Sequence, residues 1–146
     1  MSIPEANVLQ KVRQWLDFAD EDLRLGRHGM NMTVAPPPYR LIAYHAQQCA
    51  EKCLKAYLVL QAVDFPYTHN LGHLLDLCAT RGRWAEDLRD AEELTPFAIT
   101  ARYPGEDEEV TPPEAMRALD LAERVRTVVR EVIRKAGIAL TAEPLP

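Results

Sequence analysis

Nothing in this sequence supplies a Gly-rich phosphate loop, a nucleophile elbow or a carboxylate constellation of another enzyme class, so the common signatures of nucleotide hydrolysis and acyl transfer are missing. Cysteine is scarce. Three residues form no even disulfide set, and Cys49 and Cys53, four apart, fall on the apolar side of a helical pattern as free buried thiols. No apolar run approaches the roughly 20 residues of a membrane helix. The N-terminus lacks a basic stretch followed by an apolar one, so no secretory signal is expected and the expected location is cytoplasmic. Positive charge is in deficit, with 17 Lys and Arg against 22 Asp and Glu and a net charge of −5. That balance opposes a broad electrostatic grip on nucleic acid, so any RNA contact must be local. Strand periodicity is absent as well, and 146 residues suit one domain with one core.

What is present is helical. From Tyr39 to Gln61, apolar residues recur at Ile42, Ala46, Cys49, Cys53, Ala56 and Leu60, in steps of four and three that define one helix face. Gln47, Gln48, Glu51, Lys52 and Lys55 gather on the opposite face, and His45 lies on the border. Leu41, Tyr44 and Leu58 interrupt that polar face, which predicts a second apolar contact surface and, as the expected assembly, a two-fold homodimer.

A first helix is predicted from Ser2 to Arg27, opened by a Ser2/Glu5 capping box, with its core stripe on Val8, Val12, Trp15, Ala19 and Leu23. Asp17, Asp20, Glu21 and Asp22 read as a solvated face. Gly26 and Gly29 read as the helix end, and Pro36 to Pro38 as a stiff approach to the central helix. Thr68 or Asn70 can cap a short third helix carrying Leu71, Leu74, Leu75 and Cys78, which stops at Arg81-Gly82. Trp84 to Leu94 reads as a helical turn. Thr95-Pro96 then reads as the cap and first position of a helix through Phe97, Ala98 and Ala101 to Tyr103. Thr111-Pro112-Pro113-Glu114 forms a capping box for a last helix that ends at Gly137. The fold class is all-α: an antiparallel up-and-down bundle of four to five helices, with a short helix or helices between the second and last long ones. The domain spans residues 1–136 and residues 137–146 form a tail.

His45, Gln48, Lys52 and Lys55 could line a nucleotide or RNA groove, the lysines on phosphate and the imidazole and amide on base or sugar. The plainer reading is that Glu51 and Lys55 make an ordinary i, i+4 pair and that Lys52 lies along the surface with its head in water. His69 and His73 are also four apart, but no convergent ligands accompany them, so neither a metal nor a cofactor is expected. His69 is better suited to ordering the loop at the helix start. Arg102 and Tyr103 stand before a proline turn, where an arginine can reach into a groove or cap its own helix.

The segments HAQQCAEKCLKAYL at 45–58, FPYTHNLGHLL at 65–75 and ARYPG at 101–105, followed by an acidic loop and a final long helix, resemble the HEPN (higher eukaryote and prokaryote nucleotide-binding) domain family, small stand-alone prokaryotic type. The resemblance implies the same helical bundle and a nucleotide, RNA or nucleotidyltransferase as ligand or partner, the last in a toxin-antitoxin pair. It also implies ligand contacts at Gln48, Lys52, Lys55, His69 and Tyr103. In the ribonuclease members, catalysis is attributed to an Arg followed after four to six residues by a His. Here Arg102 has no such histidine, because none occurs beyond His73. Arg40 and His45 have that spacing, but at the start of the central helix, which is the wrong place. Arg102 with His45 is then the catalytic pair of a second reading, a metal-independent ribonuclease with an atypical histidine. A third reading, a non-catalytic helical adaptor, needs only the bundle.

Overall fold

The computed structural model describes residues 4–33, 35–99 and 109–140, which form helices and no strand. In order they are α1 (Ala6–Met30), α2 (Tyr39–Leu60), α3 (Leu71–Ala79), a 3₁₀ segment (Arg83–Ala98) and α4 (Pro112–Lys135). No helix among the described residues is long and apolar enough to cross a membrane.

The central helix is central because it is apolar on most of its circumference. Ile42, Ala43, Ala46, Cys49, Ala50, Cys53, Leu54, Ala56 and Leu58 are all buried, and α1, α3, α4 and the 3₁₀ segment all pack on it. Cys49, Cys53 and Cys78 are free thiols inside this core, and burial pushes Cys78 up to about 12. Leu58 is fully enclosed within the chain, so of the three residues expected to form an outer contact surface only Leu41, with Tyr44 half-buried, is still available.

α1 runs antiparallel to α2: Trp15 lies by Lys55, Asp22 by His45 and Lys52, and Gly29 by Ile42. It also opposes α4, where Asp20 meets Arg126 and Arg27 meets Glu123. Two expectations for α1 are corrected here. The helix starts at Ala6 after Glu5, whose side chain makes no cap, while Ser2 lies outside the described residues. It also continues through both glycines, because they are sites of close helix approach rather than a terminus. A Cβ on Gly26 would stand 2.9 Å from Leu119 Cδ2, and one on Gly29 would stand 2.8 Å from Ile42 Cγ1.

These contacts predict different outcomes for the same substitution. Alanine adds roughly 1 kcal/mol of helix preference at either site, against an overpacking cost of about 1 to 3 kcal/mol. At Gly26 the obstacle is the mobile tip of Leu119, so Gly26→Ala should be close to neutral. At Gly29 it is the inner part of the buried Ile42 side chain, so thermal melts of Gly29→Ala should show a net loss.

α3 is capped as its sequence indicates, with Asn70 Oδ1 accepting from the His73 backbone N–H at 3.1 Å. The following segment, Arg83–Ala98, is two 3₁₀ stretches that meet at a kink at Leu88, where the backbone leaves the helical region, rather than a turn followed by a new helix at Thr95. Thr95 does not cap: its Oγ1 accepts from the Leu71 backbone N–H across 24 residues, and Pro96 lies inside the second stretch. Arg89 ties the segment down by pairing with Asp76 of α3 and Glu86, both at 2.7 Å. α4 opens with the expected capping box, Thr111 and Glu114 each accepting from the other's backbone, and Gly137 follows it at φ +89°.

Candidate functional site

The polar side of α2 does not face water. It is covered by α1 and by residues 61–70, and its charges are organised around two carboxylates. Asp22, expected among solvated acids, is buried at the α1–α2 seam. Its Oδ2 accepts from Lys52 Nζ at 2.5 Å and its Oδ1 lies 2.8 Å from His45 Nδ1. His45 and Lys52 reach one carboxylate because seven residues is almost two helical turns. An ionised carboxylate only accepts, so His45 carries a proton on Nδ1. Its Nε2 has no hydrogen-bond partner among the described residues, and the side chains of His45 and Lys52 are 24% and 23% exposed.

The second carboxylate, Glu51, is more enclosed. Oε1 accepts from Gln47 Nε2 at 3.1 Å and lies 2.7 Å from His69 Nδ1, and Oε2 accepts from Lys55 Nζ at 2.9 Å. Gln47 Nε2 also donates to the His69 carbonyl, and its Oε1 accepts from Gln48 Nε2. The ammonium of Lys55 stands 5.6 to 5.8 Å from the ring centres of Trp15, Phe65 and Tyr67. Burial works against the charged form of Glu51, but hydrogen bonds from Lys55, His69 and Gln47 outweigh it and hold the carboxyl below its ordinary value.

The expected site residues that are described, His45, Gln48, Lys52, Lys55 and His69, thus fall into two clusters. His45 and Lys52 share Asp22; Gln48, Lys55 and His69 belong to the network on Glu51. Both lysines already have carboxylate partners, which corrects the picture of an open cationic groove. Lys55, with a side chain 6% exposed, is an interior group. Gln48 is buried and bonded to its neighbour Gln47. His69 does order the loop, through Glu51. Arg102 and Tyr103 lie outside the described residues.

Sequence reasoning missed Asp22, Glu51 as a centre, and the ring set Trp15, Phe65 and Tyr67. One signal was available. Trp15, Asp22 and Gly29 recur every seven residues, on the edge of α1 that faces α2.

The HEPN domain family profile matches residues 12–132. Among solved structures, TT1696 from Thermus thermophilus is similar at 29% identity and a TM-score of 0.66, covering 83% of this chain and 97% of its own. ST0689, described as an archaeal HEPN homologue, aligns at 24% identity with a TM-score of 0.66 over 84% of this chain and 97% of its own, and supports the fold alone. No curated protein matches. Since the matched span runs from the second turn of α1 to the last turn of α4, the chain belongs to the HEPN domain family.

Proposed function

We propose that this HEPN protein is a binding module for a phosphate-bearing ligand, a nucleotide or RNA, taken at the α1–α2 seam beside His45, with Arg102 as the further cation. The observation that carries this reading is the Asp22–His45 pair: a buried carboxylate fixes the ring through Nδ1 and leaves Nε2 free, among the described residues, to meet a ligand. With Lys52 and Lys55 already neutralised and a net charge of −5, few phosphates can be engaged, so binding weakens only shallowly with salt. Partnership with a nucleotidyltransferase in a toxin-antitoxin pair is supported by the family resemblance alone.

One geometric point favours the ribonuclease reading as second. A histidine held by a carboxylate is also a general-base arrangement, although RNA cleavage needs a cation for the developing phosphorane charge as well. The test is titration of mononucleotides and short RNA into wild type, His45→Ala and Arg102→Ala, with an RNA cleavage assay in chelator. Each substitution is expected to weaken binding by about 1 to 3 kcal/mol, the range for a charge-assisted hydrogen bond, with no cleavage by any of the three. Unchanged affinity in both variants removes the ligand from this seam. Cleavage abolished by His45→Ala establishes the ribonuclease.

A further inference from the structure

Two of the large apolar side chains left exposed among the described residues are aromatic, Phe18 at 50% and Tyr67 at 90%. Both stand by the same third ring. Trp15, half-buried, is three residues before Phe18 and so its neighbour on the surface of α1. Tyr67 comes to the same place from residues 61–70: Lys55 Nζ lies 5.8 Å from its ring centre and 5.6 Å from that of Trp15. Lys11 and Gln14, both exposed, precede Trp15 and Phe18 by one helical turn, and these four side chains line a surface pocket of about 230 Å³. That is room for a planar ring, since a cavity of about 150 Å³ already accepts benzene. No carboxylate lines the pocket, and Lys11 has no ion-pair partner among the described residues.

We propose that this patch is a base-stacking platform for single-stranded RNA, with one base held in the pocket by Trp15 and Phe18, a second base on Tyr67, and a phosphate of the same strand on Lys11. Every base has a π-face, so exposed rings beside a placed cation bind a single strand with little regard to its sequence. Charge argues for a single strand as well. A duplex is gripped through many phosphates and needs a broad basic surface, which a net charge of −5 denies, whereas three rings with one unpaired lysine ask for little positive charge.

The strand then runs on to His45, and this part rests on the reading above that the ligand is held at the α1–α2 seam. Trp15 and Asp22 are seven residues apart on one edge of α1, about 10 Å along its axis, and Asp22 holds His45 at 2.8 Å. Stacked nucleotides advance about 3.4 Å each, so about three steps join the platform to His45. A mononucleotide at His45 leaves the platform empty, and a longer strand fills both.

The test is titration of adenosine monophosphate and of an oligoadenylate of about six nucleotides into wild type, Phe18→Ala, Tyr67→Ala, Lys11→Ala, His45→Ala and the control Met116→Ala, which is exposed on α4. Wild type and the control should bind the oligomer at least about tenfold more tightly than the monophosphate. Phe18→Ala and Tyr67→Ala should each lose about tenfold for the oligomer and nothing for the monophosphate, with unchanged helical circular dichroism. Lys11→Ala should flatten the slope of log affinity against log salt by about 0.7, the value of one phosphate on a single strand. In a Trp84→Phe background Trp15 is the only tryptophan, and the oligomer but not the monophosphate should quench its emission. Unchanged oligomer affinity in both ring variants, or an unquenched Trp15, overturns the platform, and the seam reading stands if His45→Ala still weakens the monophosphate. Loss in the ring variants with no effect of His45→Ala rejects the seam reading and keeps the platform. A wild type that binds neither ligand, including one whose aromatic patch serves a protein, rejects both.

Discussion

Replacing Glu51 by leucine is expected to lower the unfolding free energy by about 3 to 5 kcal/mol, because it strands a buried ammonium. Lys55 has a side chain only 6% exposed, and Glu51 is its carboxylate at 2.9 Å. The same substitution also takes an acceptor from Gln47 and His69. The three aromatic rings around Lys55 cannot stand in for the carboxylate, since a cation-π contact contributes about 0.5 to 2 kcal/mol. Urea titrations of Glu51→Leu, Lys55→Met and the double variant check this. The double variant should recover most of the loss, because an apolar pair of similar volume can replace a buried ion pair at little cost. If both single variants and the double lose the same amount, Glu51 matters to the loop through His69 and not to Lys55. The pH dependence follows from the depressed carboxyl. A group whose titration is lowered on folding contributes stability that is fully present above its ordinary value of 4.5 and is lost as the pH falls below it. Wild type should therefore show an acid-side decline beginning near that pH, and Glu51→Leu should show a smaller one.

The second large effect is expected at Asp20, which joins the first helix to the last. Its Oδ1 accepts from Arg126 Nε at 2.6 Å, and its Oδ2 lies 3.3 Å from Arg126 Nη2 and 3.6 Å from Arg130 Nη1. Both arginines are buried. Burial opposes the charge on Arg126 and the Asp20 carboxylate more than offsets it; on Arg130 burial and the neighbouring Arg126 prevail, and its pKa is lowered. Asp20→Ala removes the carboxylate that separates two like charges, at an expected cost of about 3 kcal/mol. Adding Arg126→Leu should restore part of it. A loss below about 0.5 kcal/mol, the level of an ordinary surface substitution, would mean that Asp20 is solvated after all.

Asp20 also shows where the sequence stops being readable. In the chain it is one of four acids within six residues and looks like a water-facing run. Its partner is 106 residues away, and periodicity carries no information at that range. Asp22, two residues on, points to α2 instead. Signals that depend on neighbouring residues were legible: α2 runs Tyr39–Leu60 against an expected end at Gln61, and the Thr111 capping box is as read. Signals that depend on what covers a surface were not. The helical wheel places Gln47, Glu51 and Lys55 opposite the apolar stripe, but they are interior because α1 and residues 61–70 close over them. Thr95-Pro96 has the composition of a helix start, yet its hydroxyl oxygen serves the first N–H of a different helix. For the candidate site, the residue types on α2 were identified, while the carboxylate that orients His45 was taken for surface.

Helices packed through Leu, Ala and Val alone can slip past one another, because one methyl-lined groove resembles the next. A slip of one turn, about 5.4 Å, between α1 and α2 would preserve much of the apolar contact described above. It would also draw Asp22 away from His45 or Lys52, Trp15 from Lys55, and Asp20 from Arg126, leaving each charge in the interior without its counterpart. The buried Asp22 and the partly buried Asp20 of α1 thus act as a key for alignment: they penalise the shifted packings more than they favour the correct one, and they give a small alanine-rich bundle a single register.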